Sequence, residues 1–225
     1  DEGISGAGEA TTMPRWSGET SATANAIIEE ILAPAVIGLD PLDVEALDYA
    51  MDRVVNHNWF TKAAIEMACW DIRGIAESKP VYELLGGPHR SLTIPARFSM
   101  AAYDPETAAA KAAERVGWGF TTIKVKVGTV PAEDIARVKA VRAAVGPDIK
   151  MVIDANCGWD CDTAICCCKE LEDCNLSLIE QPTPDGDYAA IAKLRSAVNV
   201  PVMADDMCFD LVHARELIRN EGCDV

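Results

Sequence analysis

Residues 121–127 read TTIKVKV, residues 150–156 KMVIDAN, residues 176–182 LSLIEQP and residues 201–206 PVMADD. Each is a short apolar, strand-like run that ends in charge: Lys124 and Lys126, then Asp154, then Glu180, then Asp205. The three carboxylates are spaced by 26 and 25 residues, about one strand, one helix and two short loops. The stretches between them are amphipathic: PAEDIARVKAVRAAVG opened by Pro131, then DTAICCCKELEDC, then DYAAIAKLRSAV. Alternation of strands and helices with short loops means a parallel sheet with right-handed crossovers. A near-constant unit length favours a barrel over an open sheet, and a closed barrel of this type needs about eight strands. Working outward, the pattern starts at LTIPARFSM, with Asp104-Pro105 capping the next helix. It ends with the helix FDLVHARELIRNEG and Cys223-Asp224-Val225. The expectation for residues 91–225 is an α/β fold, a partial TIM-like barrel of five strands and the start of a sixth.

Residues 1–90 read differently, as a mostly helical domain. DEGISGAGEA looks like the end of a strand pair whose partner is absent, and the loop TTMPRWSGET follows. A helix is expected over residues 22–33, stopping at Pro34. Asp40 is expected as an N-cap, with Pro41 at the first helical position of PLDVEALDYAMDRVV. Thr61 starts TKAAIEMACWDIRGIAE, with Ala64, Met67, Ala68 and Ile72 near helical spacing. A short helix, VYELLGG, ends at glycine.

Composition excludes several classes. Nearly half of the 225 residues are apolar, enough for a substantial core. Apolar runs are too short to span a bilayer: AIIEEILAPAVIG is interrupted by Glu29, Glu30 and Pro34. No signal peptide is visible. A net charge of -16 argues against a nucleic-acid or anionic-membrane surface. Six of the nine cysteines crowd residues 157–174 without forming a CxxC pair. Cys166, Cys167 and Cys168 are consecutive in an expected helix, so they diverge by about 100° and cannot share one tetrahedral ion. Free thiols in a reducing cytosol are expected.

In a ring of parallel strands the strand ends surround one mouth, so Asp154, Glu180 and Asp205 should converge there. Three converging carboxylates repel unless a cation sits among them, and hard oxygen ligands suit Mg²⁺, with Mn²⁺ as an alternative. Lys124 and Lys126 are two apart on a strand and share a face, here the barrel interior. A metal with lysines facing it is equipped to pull a proton from carbon and hold the resulting anion. The plainer readings are two lysines at a fraying strand end, and three unrelated loop or cap carboxylates. Repetition at equivalent places argues against them. Asn156 should share the face of Asp154, to bond a substrate oxygen or to cap a loop. Asp206 should point the other way and pair with a lysine or support the metal ligands. His57, His89 and His213 read as structural or exposed. No phosphate loop, dinucleotide fingerprint or nucleophile elbow is present.

With these residues assembled, the chain resembles the enolase superfamily, in particular its mandelate racemase and muconate lactonizing branch. The matching strings are GEA at 8–10, Lys-x-Lys in TTIKVKVG, Asp-x-Asn in VIDANCGW, Glu-Gln-Pro in LIEQP, and PVMADD. The resemblance implies an amino-terminal α+β capping domain over residues 1–90, incomplete at its start, and a (β/α)₇β barrel. It implies Mg²⁺ on Asp154, Glu180 and Asp205, with Lys126 as acid/base at the α-carbon and Lys124 tuning it. Aspartate as third ligand groups the chain with muconate lactonizing enzymes, o-succinylbenzoate synthases and dipeptide epimerases. Asp206 stands where the family usually has glutamate. Thr12 to Trp16 match a specificity loop, making Arg15 and Trp16 candidate substrate contacts. The family's opposing lysine, on strand six, would lie beyond Val225, so these residues read as an internal, inactive piece of an enzyme of roughly 350 to 400 residues. The expected activity is proton abstraction next to a small substrate carboxylate, muconate cycloisomerase-like, with dipeptide epimerase or acid-sugar dehydratase as alternatives. The full-length enzyme is expected to be a homo-oligomer. A Schiff-base aldolase using either lysine is a rival class, and it leaves the carboxylates unexplained.

Overall fold

The computed structural model describes residues 3–225. The chain forms two compact units, Asp1–Thr93 and Ile94–Val225.

In the first unit, residues 4–13 carry no strand. The glycines of this segment lie against α4 (Trp59–Glu77). A Cβ on Gly8 would stand 1.8 Å from the Ala64 carbonyl oxygen, and one on Gly6 2.1 Å from that of Ala68. Backbone approach to a helix explains these glycines where a nucleotide loop does not. The helix expected to stop at Pro34 runs on. α1 (Ser21–Ile27) passes through a π-helical turn, Ile28–Leu32, into α2 (Ala33–Val36). Proline lacks an N–H and its ring crowds the carbonyl four residues back. Ala33 N–H bonds Ile28 O, five residues back, so the register has already shifted where Pro34 enters. α3 (Val44–Val54) is capped by Asp43, whose carboxylate accepts from Ala46 N, and not by Asp40. Asp40 closes a tight turn by accepting from Leu42 N at 2.9 Å. Starting at Val44 puts Val44, Leu47 and Met51 on one buried face, which sets the phase. α4 begins two residues before Thr61. α5 (Val81–Leu84) is followed by Gly86 and Gly87, both at positive φ.

The second unit alternates as expected: β1 (Phe98–Met100), α6 (Pro105–Gly117), β2 (Thr122–Lys126), α7 (Pro131–Val145), β3 (Lys150–Asp154), α8 (Cys161–Glu170), β4 (Leu178–Glu180), α9 (Tyr188–Ala197), β5 (Val202–Met203) and α10 (Leu211–Arg219). Among the described residues the strands form one parallel sheet in the order β1-β2-β3-β4-β5. Ile123, Val125, Met151, Ile153, Ile179 and Val202 are fully buried and pack with Ala108, Val138, Val141, Ala164 and Leu194 of the helices. Strand alternation sends Lys124 and Lys126 to the opposite face. Residues 223–225 carry no strand assignment but begin to pair with β5. Asp224 N donates to Val202 O at 2.7 Å, and Ala204 N to Val225 O at 3.1 Å. Asp104 caps α6 as expected, and Asp160, Asp187 and Asp210, which the sequence reading did not name as caps, do the same for α8, α9 and α10.

Candidate active site

The sheet register sets the site. Lys126 lies level with Asp154, and Asp154 level with Glu180, on three neighbouring strands. Level residues of parallel strands point to the same face. Lys124 Nζ reaches Glu180 Oε1 at 2.6 Å and Asp154 Oδ2 at 2.7 Å. Lys126 Nζ shares that Oδ2 at 2.5 Å and also donates to Asn156 Oδ1. Asp154 is 0 % and Glu180 3 % exposed, so these charges have little water to fall back on. Burial by itself would raise the Asp154 carboxyl. The two lysines overcome it and hold Asp154 below the usual carboxylate range. Burial likewise pulls Lys124 down, but its bonds to Asp154 and Glu180 win and it is raised, remaining an ammonium.

The turn after β3 completes the cluster. Asn156 and Cys157 both have positive φ. This backbone brings Asn156 N onto Asp154 Oδ1 at 3.0 Å, and Asn156 Nδ2 donates to Asp206 Oδ2 at 3.3 Å. Asp206 therefore engages the site through Asn156. Burial, then the charge of Asp206, pushes the Cys157 thiol up to about 11. Asp205 itself is raised, first by burial and then by Asp206 and Asp154. Arg15 and Trp16 occupy an exposed turn of the first unit.

Two site residues went unnamed in the sequence reading. Gln181, fully buried with φ of +36°, accepts from Asp205 N at 2.8 Å and Met207 N at 3.3 Å through Oε1. It fixes the loop that carries Asp205. Its place inside Glu-Gln-Pro was the available signal. Arg97 Nη2 stands 2.8 Å from Glu180 Oε2. The pair is close, yet no N–H aims at that oxygen, which has no hydrogen-bond donor. Nothing in the sequence ties Arg97, just before β1, to the end of β4.

Among the described residues, no group of three or more His, Cys, Asp or Glu side chains is arranged to hold a metal ion. The expected convergence of three carboxylates is replaced by the Lys124 ammonium standing between Asp154 and Glu180, with Lys126 also on Asp154. The donor chemistry still fits a hard cation. Glu180 Oε2 lacks a hydrogen-bond donor, and Asp205 is destabilised as an anion first by burial and then by Asp206 and Asp154, a penalty that a cation relieves.

A parallel α/β unit with a lysine and two buried carboxylates level at its strand ends, and a second lysine bonded to both carboxylates, defines the class of protein. The chain belongs to the mandelate racemase / muconate lactonizing enzyme family of the enolase superfamily. Residues 1–86 match the mandelate racemase / muconate lactonizing enzyme N-terminal domain, and residues 107–225 the enolase C-terminal domain-like family. It is 39% identical over 225 residues to a hydrophobic dipeptide epimerase of Enterococcus faecalis, covering 100% of this chain and 63% of that protein. A solved structure of the Enterococcus faecalis V583 dipeptide epimerase, complexed with Mg and L-Leu-L-Tyr, superposes with a TM-score of 0.95 at 38% identity, over 100% of this chain and 62% of that one. The N-succinyl Arg/Lys racemase of Bacillus cereus gives a TM-score of 0.97 at 35% identity, over 100% and 61%. A chloromuconate cycloisomerase of Cupriavidus necator is 32% identical over 226 residues, 99% of this chain and 61% of that protein. The chain thus spans about three-fifths of the length of these relatives, all of them isomerases. Epimerases and racemases stand ahead of the cycloisomerase, which favours the epimerase alternative over the muconate-like expectation.

Proposed function

We propose that the protein containing this chain is a Mg²⁺-dependent epimerase acting at the carbon next to the free carboxylate of a dipeptide or N-acylated amino acid. The observation that carries this reading is the cluster at the ends of β2, β3 and β4, where Lys126, Asp154 and Glu180 are level and Lys124, two residues back, bonds both carboxylates. Similarity to epimerases and a racemase supplies the substrate class. In this reading the second unit is part of a (β/α)₇β barrel and the first part of its capping domain. Asp154, Glu180 and Asp205 would hold the metal, which when bound supplies positive charge to the substrate carboxylate. The use of a lysine base with Mg²⁺ in this superfamily is a general pattern. The Lys126 amine takes the α-proton through its lone pair, and the carbon–hydrogen electron pair passes into the adjacent carboxylate. A proton returned to the opposite face completes inversion, and the base for that face is proposed to lie in the length that this chain does not span. Lys124, kept as an ammonium by Asp154 and Glu180, holds positive charge beside the developing anion. Reading Arg15 and Trp16 as substrate contacts rests on the family resemblance.

The test is incubation of the full-length protein with Mg²⁺ and a panel of L,L-dipeptides in D₂O. The α-proton beside the free carboxylate should wash out as the D-epimer accumulates. Turnover of a muconate with no exchange in any dipeptide or N-succinyl amino acid would instead establish the cycloisomerase reading.

A further inference from the structure

The site's lysines sit above a second, fully buried ion pair that the chemistry does not use. Asp134 is 0 % and Arg137 2 % exposed, one turn apart at the start of α7. Arg137 Nη1 donates to Asp134 Oδ1 at 2.7 Å. A buried pair of charges is costly unless every remaining lone pair and proton is used. Here the partners are loops. Asp134 accepts from Thr129 Oγ1 at 2.7 Å, Thr129 N at 2.9 Å, Gly128 N at 3.0 Å and Trp159 Nε1 at 3.2 Å. Arg137 donates Nε to the Tyr103 carbonyl and Nη1 to the Lys126 carbonyl, the latter at 3.1 Å. Tyr103 lies between β1 and α6, Gly128 and Thr129 between β2 and α7, and Trp159 between β3 and α8. One ion pair therefore ties three consecutive loops at the edge where the site lies. Backbone packing tightens it: a Cβ on Gly158 would stand 2.2 Å from Gly128 O, and one on Gly128 2.2 Å from Ala155 O. Val127 N closes the gap to Asp154 O at 2.8 Å.

We infer that Asp134 and Arg137 are positioning residues for Lys126, setting where its amine stands relative to Asp154 and the substrate's α-carbon. The inference rests on the proposed proton transfer. The pair touches no reacting atom. It holds the carbonyl of Lys126 on one side and, through Trp159 and the Gly128–Ala155 contact, the segment after Asp154 on the other. A displacement of about 1 Å at a reacting group can cost about 10²-fold in rate.

The test uses the full-length protein and measures α-proton exchange in D₂O separately from each epimer, since only one epimer presents its proton to Lys126. Lys126→Ala is the reference: it must abolish exchange from that epimer selectively, and failure to do so removes the proposed function, not the positioning role alone. The double variant Asp134→Leu/Arg137→Met leaves no orphaned buried charge. Arg137→Lys keeps Asp134 paired but cannot span two carbonyls as a planar fork, and it serves if the double variant does not fold. The expected result is a fall of about 10²-fold in kcat for the Lys126-facing epimer. KM should stay within about threefold, and the other epimer should be much less affected. An equal fall for both epimers, or a fall below about threefold in a folded variant, overturns the inference.

Discussion

Asp154 Oδ2 serves two ammonium groups at once, Lys124 at 2.7 Å and Lys126 at 2.5 Å, while Oδ1 takes the Asn156 N–H. Removing its charge should therefore do more than remove one metal ligand. Asp154→Asn in the full-length protein should abolish EDTA-sensitive exchange and weaken Mg²⁺ binding in isothermal titration. Unchanged Mg²⁺ affinity would remove Asp154 from the ligand set. Lys126→Ala should stop exchange of the α-proton with solvent deuterium, while Lys124→Ala should slow it less, because Lys124 acts through charge. Equal effects of the two substitutions would mean that the roles are wrongly divided. The identities of these residues were readable in the sequence because period-two spacing and repeated strand ends are local facts. Their ion pairing was not, since Lys124 and Glu180 are 56 positions apart.

Among the helices, the short-range cap at Asp104 was legible, the one at Asp43 was mistaken for Asp40, and the long-range cap of α4 was missed. Asp104, Asp160 and Asp210 accept from Thr107, Thr163 and His213, and these bonds hold each carboxyl below its ordinary value of 3.8. A depressed folded value means stability that is fully present above about pH 3.8 and lost as pH falls through the lower folded values. Replacing all three by asparagine keeps the acceptors and removes the titration. That variant should lose less stability than the parent as pH falls below about 3.8 in urea melts. α4 is capped differently. Asn58 precedes it in a left-handed conformation and offers the helix no side-chain bond, its amide donating to Asn56 O instead. Glu19, buried and about forty positions away, accepts from Phe60 N at 3.1 Å, Thr61 N at 2.8 Å and the Thr61 hydroxyl at 2.5 Å. Glu19→Ala strands these donors and should cost about 2 kcal/mol in chemical denaturation. A change under about 0.5 kcal/mol would show that water replaces the carboxylate freely.

For the molecule as a whole, charge and thiols are the accessible readouts. All nine cysteines are free, with Cys166 and Cys208 exposed and Cys167, Cys168 and Cys174 buried. Burial pushes the Cys168 thiol up to about 12 and that of Cys167 up to about 11. Thiolate is the reactive form, so native protein near pH 8 should titrate Cys166 and Cys208 first. Denatured, unreduced protein should give all nine. A total of five or fewer would reveal disulfides. No helix among the described residues is long and apolar enough to cross a membrane.

What the sequence by itself determined is whatever repeats or acts locally. The alternation of strands and helices follows from hydrophobic period, the site's side chains from their recurrence at strand ends, and the start of α6 from Asp104, three residues before the Thr107 N–H it accepts. The family followed from those strings. Tertiary structure decided everything that needs two distant segments to meet. It set the sheet register that levels Lys126 with Asp154 and Glu180, and it placed Arg97 beside Glu180. It also recruited Glu19 to cap α4 and drew three loops onto Asp134 and Arg137. The helix through Pro34 and the cap at Asp43 belong here too. Propensity favoured a stop at the proline and a start at Asp40. Burial of Leu32 on one side, and of Val44, Leu47 and Met51 on the other, fixed where the helices run. A local rule prices each residue against its neighbours in sequence, whereas the fold prices it against its neighbours in space.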